Sequence, residues 1–187
     1  MEILKLLLEV GESILRAPYL LPLPPLIAWL IGTFCLALVA SLFGEITLAT
    51  LYWVNRHHIQ KLATDMTRRH NQSVNALISK DKGAFKAINR LANEAFGKVF
   101  FTQIAMGMAS LWPAFFAAAW LKTHFADVVI INIHFINWDV YYLPPFVLLY
   151  IAARILFTHI KRRIPLFRRL AATAQEMAPK EEMQPLI

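Results

Sequence analysis

Residues 26–54 form an apolar run of 29 residues that contains one charged side chain, Glu45. As a helix this run would be roughly 43 Å long, whereas the hydrocarbon core of a bilayer is only about 30 Å thick. We therefore predict a first transmembrane helix that tilts or leaves the membrane in its last turns. The composition agrees, because 58% of the residues are hydrophobic and only 17% are charged. A soluble domain of this size would carry more charge.

Two further apolar runs, residues 99–121 and residues 143–160, predict a second and a third transmembrane helix. Pro113 lies in the second half of the second run, where its missing N–H predicts a kink. Residues 1–17 have a different pattern, with polar side chains on one arc of a helix and apolar side chains on the opposite side. A short helix of this kind, roughly 24 Å long, is typical of the membrane interface and not of a span.

Residues 56–98 are strongly basic and predict a helical hairpin. Apolar residues recur at helical spacing in two sets, and the turn-like sequence SKDKG separates them. Asp81 within this turn is the predicted cap of the second helix. We expect a coiled-coil-like hairpin that stands off the membrane on the cytosolic side. Its nine basic residues, against three acidic ones, are Arg56, Lys61, Arg68, Arg69, Lys80, Lys82, Lys86, Arg90 and Lys98.

The distribution of lysine and arginine predicts the orientation of the spans. Residues 56–98 and residues 161–169 are rich in both, whereas the segment between the second and third spans holds only Lys122. Because basic loops stay in the cytosol, we expect the N-terminus outside and the C-terminus inside. The apolar sequence VVIINIHFINW in that segment is too short to cross and is expected near the interface. Residues 161–187 are expected to form a basic, partly disordered cytosolic tail, and the predicted fold class is all-α.

Each predicted span carries polar residues at spacings of four or seven, which place them on one helix face. With the orientation above, all three polar stripes lie in or near the cytosolic half of the membrane. They predict a hydrated groove, open to the cytosol, that shortens the apolar barrier for the polar flank of a client protein. The groove residues are Ser41, Glu45 and Tyr52 of the first span, Gln103 and Ser110 of the second, and Tyr150, Arg154 and Thr158 of the third.

The two charged groove residues, Glu45 and Arg154, admit three interpretations. A lone charge in hydrocarbon is costly, so the two side chains could face each other across the groove. Alternatively, the first span ends near Gly44, so that Glu45 lies at the interface, and the long stem of Arg154 reaches the inner interface. In the third interpretation they form a structural pair without a role in transport.

The chain has no motif that indicates catalysis or a cofactor. The sequence lacks a GxxxxGK[ST] phosphate loop, and it lacks a local Ser/His/Asp or Cys/His signature. His57 and His58 are adjacent and point in different directions on a helix, so neither a metal nor a haem site is expected. The basic hairpin can attract phosphates without sequence preference, which fits anionic lipid headgroups or ribosomal RNA and not specific DNA binding. We expect no enzymatic activity, no cofactor and no metal.

Two stretches of sequence carry a resemblance to a known family. GEITLATLYWVNRHHIQKLATDM joins the first span to the hairpin, and LISKDKGAFKAINRLANEAFGKVFF joins the hairpin to the second span. Both, and the plan of residues 26–161, resemble the core of the Oxa/YidC/Alb superfamily of membrane protein insertases. The similarity is to the small three-span members of archaea and of the endoplasmic reticulum. That family often has a basic residue in the first span, whereas this chain has Glu45 there and Arg154 in the third span.

The resemblance implies an insertase or chaperone whose partners are nascent or client membrane proteins. Further expected partners are anionic lipid headgroups near residues 56–98 and 161–169, and ribosomes or other membrane subunits. The expected location is the cytoplasmic membrane of a prokaryote, with the endoplasmic reticulum as the alternative. Two other functions stay open. One is an ion channel or transporter subunit in which Glu45 and Arg154 line the path, and the other is a non-catalytic subunit of a larger membrane complex.

Overall fold

The structure is a computed structural model that describes residues 2–133, 138–161 and 182–185. The described part of the chain is mostly helical, with 84% of its residues in helices. Most of the predicted tail, residues 161–187, therefore lies outside the described residues. The elements are α1 (Glu2–Arg16), a 3-10 turn (Ala17–Leu20), α2 (Pro25–Ile78), α3 (Lys82–Ala109), α4 (Trp112–Phe125), β1 (Ile131–Ile133), β2 (Trp138–Val140) and α5 (Leu143–Lys161).

Among the described residues, three helical stretches are long and apolar enough to cross a membrane, in agreement with the three spans predicted from the sequence. They are Pro25–Ile78, Lys82–Phe125 and Leu143–Ile160. The second of them combines α3 with α4. This arrangement is compatible with a multi-pass membrane protein.

The predicted border between the first span and the hairpin, at residues 54–56, is not a break in the backbone. α2 runs through it as one helix of 54 residues. Neither glycine nor proline occurs near Asn55, so nothing interrupts the hydrogen bonds of the helix there. The change in composition at this point therefore does not mark the end of the helix.

The turn between α2 and α3 falls within the SKDKG sequence. Lys80 adopts a left-handed conformation with φ of 56°. The Asp81 N–H donates to the carbonyl of Ala76 at 3.2 Å, and the Lys80 N–H donates to Leu77 at 3.0 Å, which is the Schellman ending of a helix. The Asp81 carboxylate then accepts a hydrogen bond from the Ala84 N–H at 3.0 Å. The prediction that Asp81 caps the second helix is confirmed.

Pro113 ends one helix and begins another. In a continuous helix, residue 113 would donate its N–H to the carbonyl of Ala109, and proline has no N–H to donate. α3 accordingly ends at Ala109, and α4 begins at Trp112 with Pro113 in its first turn. The structure thus has a break in the helix between Ala109 and Trp112, just before the proline at which the sequence predicts a kink.

The chain divides into two compact units. The first comprises Met1–Glu45 and Leu111–Arg163, and the second comprises Ile46–Ser110 and Ile164–Ile187. In the first unit, one buried cluster joins α2 to α4 and α5. The cluster consists of Leu36, Ala37, Ala40, Ala117, Leu121, Phe146, Tyr150 and Ala153.

In the second unit, the last part of α2 lies beside α3 and runs antiparallel to it. Tyr52 shares a small cavity with Gln103 and Met106, and Leu62 shares another with Lys98. Residues early in this part of α2 therefore meet residues late in α3. The turn at Asp81 closes this hairpin, which consists of residues 46–78 and α3.

The prediction of an all-α fold is wrong for the segment between α4 and α5. β1 and β2 pair antiparallel there, with Ile131 opposite Val140 and Asn132 opposite Asp139. The Asn132 side chain also donates to the Asp139 carboxylate across the pair. The segment VVIINI at residues 128–133 is rich in β-branched residues, which fit a pleated backbone better than a helix and so explain the strands.

α1 forms the predicted helix over Glu2–Arg16, and its two sides differ in their surroundings. Four apolar side chains at helical spacing are exposed: Ile3, Leu6, Val10 and Ile14. On another side, Glu12 and Arg16 form an ion pair and both lie beside His124 of α4. This arrangement suits a helix that presents its apolar side to lipid, and the interfacial location stays a prediction.

Gly32 of α2 lies directly beneath the ring of Tyr19. A methyl group at residue 32 would come within 2.7 Å of three carbons of that ring. The Tyr19 ring in turn packs against Trp120 and Phe125, with centroids 5.6 and 5.4 Å apart. The absence of a side chain at Gly32 thus permits the turn after α1 to pack on α2 and α4.

We expect the substitution Gly32→Ala to lower the stability of the protein by about 1 kcal/mol. Forcing a methyl group against the Tyr19 ring costs about 1–3 kcal/mol, and alanine returns about 1 kcal/mol of helix propensity. Gly11→Ala is the matched control, because nothing lies within 4 Å of a methyl group there. Thermal unfolding in detergent measures both. A Gly32→Ala protein as stable as the Gly11→Ala protein would contradict the close packing of Tyr19.

Candidate functional site

The polar residues of the first span lie on the buried side of α2. Thr33, Ser41 and Glu45 are spaced by multiples of four, which places them on one face of the helix. Thr33 and Ser41 are fully buried, and Glu45 is only 8% exposed. Among the described residues, the Ser41 hydroxyl has no hydrogen-bond partner. This face continues the side of α2 that carries Ala37 and Ala40 in the buried cluster.

The polar residues of the third span are linked along α5. The Arg154 guanidinium donates to the Tyr150 hydroxyl at 3.1 Å, and the Thr158 hydroxyl donates to the Arg154 carbonyl at 2.8 Å. Tyr150 is buried and Arg154 partly buried. Tyr150 and Ala153 both belong to the cluster with Ala40. The structure therefore places Arg154 next to the side of α5 that packs in the core of the first unit.

Glu45 and Arg154 thus lie on helices that share one core. Glu45 comes five residues after Ala40, and Arg154 comes directly after Ala153. Glu45 is buried by the protein itself, and its depth in the membrane stays a prediction. The bond to Tyr150 shows that the guanidinium of Arg154 is engaged within its own helix and does not only extend away from it.

Three further predicted groove residues, Tyr52, Gln103 and Ser110, lie in the second unit. Their side chains pack between its helices or hydrogen-bond to the helix backbone. Tyr52 and Gln103 line a cavity of about 50 Å³, which holds little more than a water molecule. The Ser110 hydroxyl donates to the carbonyl of Gly107 at 2.7 Å, directly after the end of α3. Ser110 is fully buried. Thr158 of the first unit likewise donates to its own helix, so its hydroxyl can offer a client only its acceptor lone pairs.

A second concentration of unusual side chains lies at the start of α2, and the sequence analysis did not find it. Tyr19 and Trp29 line an apolar cavity of about 540 Å³ together with residues 128–130. Burial raises the pKa of Tyr19 to about 12, although its hydrogen bond with Thr33 opposes the shift. The indole N–H of Trp29 has no partner among the described residues. The signal that points to this region is the aromatic residue within the proline-rich sequence PYLLPLPP.

His124 connects α1 to α4 at this end of the first unit. Its Nε2 lies 2.9 Å from the Arg16 guanidinium and 3.3 Å from the Glu12 carboxylate. Its ring stacks on Trp120, with centroids 4.3 Å apart. Within the described ranges, no group of three or more His, Cys, Asp or Glu side chains could hold a metal ion. The contacts of His124 with Arg16 and Glu12 join α1 to α4.

An open cavity of about 550 Å³ lies on the hairpin where charged and apolar side chains meet. Leu62 and Phe101 supply apolar surface, and His58, Glu94 and Lys98 supply polar groups. The adjacent aromatic residues Phe96 and Phe100 are exposed. A surface that combines cationic and aromatic groups in this way suits the headgroup region of a bilayer.

Comparison of the chain with models of known protein families, with curated proteins and with solved structures finds no match.

Proposed function

We propose that this protein inserts or chaperones membrane proteins, with the buried polar faces of α2 and α5 as the part that eases the passage of a client. The observation that carries the proposal is the burial of Glu45, at 8% exposed, on an otherwise apolar span. A carboxylate in such a place is costly and is retained where it serves a function. The resemblance to the Oxa/YidC/Alb superfamily supports the same function, and that support is by analogy.

The proposed mechanism uses polarity and no chemical reaction. Ser41 and Glu45 of α2, with Tyr150 and Arg154 of α5, provide hydrogen-bonding groups at a depth where lipid provides none. The polar flank of a client can exchange hydrogen bonds with such groups and with water between them. The thickness of hydrocarbon that the flank must cross without partners is thereby reduced, which lowers the cost of translocation.

The proposed setting is a prokaryotic cytoplasmic membrane, with the endoplasmic reticulum as the alternative. Anionic lipids are the proposed partners of the basic hairpin, and the cavity beside His58 and Lys98 is the proposed place of headgroup contact. Nascent membrane proteins are the proposed clients. Residues 161–169, the other predicted lipid contact, lie almost entirely outside the described residues.

We expect Lys82 on the cytosolic side and Asp127 on the opposite side, because the two loops differ strongly in lysine and arginine. Both residues are exposed in the structure, so cysteines there are accessible to a reagent. In a Cys35→Ala background, an impermeant maleimide should label Asp127→Cys in intact cells and Lys82→Cys only after permeabilisation. Labelling of Lys82→Cys in intact cells would overturn the orientation.

Site-specific photo-crosslinking tests the proposed function in living membranes. A photo-reactive residue at Thr158, on the polar side of α5, should capture short nascent membrane proteins. The matched control is Leu148, which is 69% exposed on the same helix. We expect several-fold more client capture at Thr158 than at Leu148. Capture of one fixed protein at both positions would instead indicate a structural subunit of a larger complex.

A further inference from the structure

Three hydrogen bonds hold the tail segment, residues 182–185, on the hairpin. The Asn71 side-chain amide donates to the Glu182 carbonyl at 3.0 Å, and its oxygen accepts from the Gln184 N–H at 2.9 Å. The His70 Nε2 lies 3.0 Å from the Gln184 carbonyl. A carbonyl oxygen only accepts, so His70 is the donor in this third bond. All three bonds end on main-chain atoms of the tail segment.

The pattern at Asn71 is that of one residue in a parallel β-ladder. There, one residue donates its N–H to the carbonyl of residue i and accepts from the N–H of residue i+2 of its neighbour. The side-chain amide of Asn71 makes the same two bonds, with Glu182 as residue i and Gln184 as residue i+2. An asparagine side chain carries both the donor and the acceptor that this requires. The Asn71 side chain, which projects from a helix, therefore makes the two hydrogen bonds that a residue of a neighbouring β-strand would make.

The tail sequence favours the bound conformation. Gln184 precedes Pro185, and a residue before proline is restricted to extended conformations. Less conformational freedom is lost when such a segment binds. On the helix side, Asn71 is 4% exposed, so its amide is held in a defined place beneath the tail segment. The Met183 side chain, by contrast, is half exposed and takes no part in the three bonds.

We propose that Asn71 and His70 form a docking site for the main chain of an extended peptide, and that residues 182–185 occupy this site in the free protein. The recognised groups are main-chain atoms, so the site accepts any extended segment that has an N–H at the position of Gln184. A competing peptide must displace the tail segment. This inference does not depend on the proposed insertase function, because it concerns the hairpin and the tail alone.

The three hydrogen bonds predict that a separate peptide binds weakly, whereas the tail segment of the same chain occupies the site to a substantial extent. Three hydrogen bonds predict a dissociation constant on the order of millimolar for a separate peptide. A tethered segment has an effective concentration of about the same size. The tail segment is therefore expected to be bound for much of the time and to exchange rapidly, as suits a displaceable occupant.

Hydrogen exchange of the Gln184 amide in the full-length protein tests the site. We expect exchange in the wild type to be slowed about twofold relative to Asn71→Ala, because a segment that is bound about half of the time exchanges only from its unbound state. Asn75→Ala is the matched control, since Asn75 is exposed one helical turn away. Its Gln184 amide should exchange as in the wild type. Protected α2 amides in all three proteins show that the helix is intact. Equal exchange of Gln184 in the wild type and in Asn71→Ala would overturn the proposal.

A labelled peptide of residues 178–187, added to the full-length protein, tests recognition of the main chain. Fluorescence anisotropy should show binding in the millimolar range, and Asn71→Ala in the protein should abolish it. Gln184→Pro in the peptide removes the N–H that bonds to Asn71 and should also abolish binding. Met183→Pro removes an N–H outside the three bonds and should preserve it. Equal binding of the Gln184→Pro and Met183→Pro peptides would contradict recognition through the main chain.

Discussion

Replacement of Leu121 by alanine should lower the stability of the protein by about 2 kcal/mol. Leu121 is fully buried in α4, where its side chain fills the space between α2 and α5. Loss of a buried leucine costs about 2–5 kcal/mol in soluble proteins, as the sum of a transfer term and a cavity term. Helices in lipid gain little from burial of apolar surface, so the cavity term dominates and the lower end of this range is expected.

The control for Leu121→Ala is Leu148→Ala on α5. Leu148 is exposed, so its truncation creates no cavity and should change the stability by less than about 0.5 kcal/mol. Unfolding of both variants in the same detergent gives the comparison directly. Similar losses for the two variants would mean that Leu121 does not hold α2, α4 and α5 together. The position of Arg154 in the core would then be in doubt as well.

We expect Glu45→Gln and Arg154→Gln each to lower the stability of the protein by about 1–3 kcal/mol. Each substitution removes a charge that interacts with partly buried polar groups in the wild type. Both side chains lie beside the shared core of α2 and α5. Both substitutions should also reduce client insertion. The reduction follows from the proposed groove, in which the two charges face the client and each other.

A double-mutant cycle separates this coupling from the individual effects. We expect a coupling energy of about 1 kcal/mol, since water in a groove screens the pair, whereas a dry buried pair would lose about 3–5 kcal/mol when broken. The exchange of Glu45→Arg with Arg154→Glu should restore part of the lost function. Strictly additive single effects would mean that the two residues act apart.

The spans and the turn of the hairpin were predictable because each depends on a local signal. Long apolar runs predict helices long enough to cross a membrane, and Asp81 followed by a helical pattern predicts a cap. The end of the helix α2 was not predictable in this way. Arg56 begins a basic segment, but charge does not interrupt a helix, and α2 continues to Ile78.

A run of β-branched residues in the sequence indicates the strands β1 and β2. Val128, Val129 and Ile130 precede β1, and a run of β-branched residues favours extended structure. The same run is apolar, which also fits a location at the membrane interface. Its length, too short to span, was by itself compatible with either interpretation.

The candidate site was only partly predictable. Spacing by four identified the buried face with Ser41 and Glu45, because helical periodicity depends on sequence alone. Helical periodicity could not show that the hydroxyls of Ser110 and Thr158 donate hydrogen bonds to nearby backbone carbonyls, because both bonds depend on local geometry. The contact between Asn71 and Gln184 joins residues 113 positions apart, and no local pattern predicts such a contact.

Reconstitution of the purified protein in liposomes that contain anionic lipid tests the central proposal most directly. The client should have one apolar span and a short polar flank, and protease protection of that flank measures insertion. We predict faster insertion with the wild type than in empty liposomes, and a rate near that of empty liposomes with the Glu45→Leu, Arg154→Leu double variant. Leu148→Ala should insert as the wild type does. Equal insertion with and without the wild-type protein would contradict the proposed function, and an ion flux that depends on Glu45 would assign the polar residues to conduction instead.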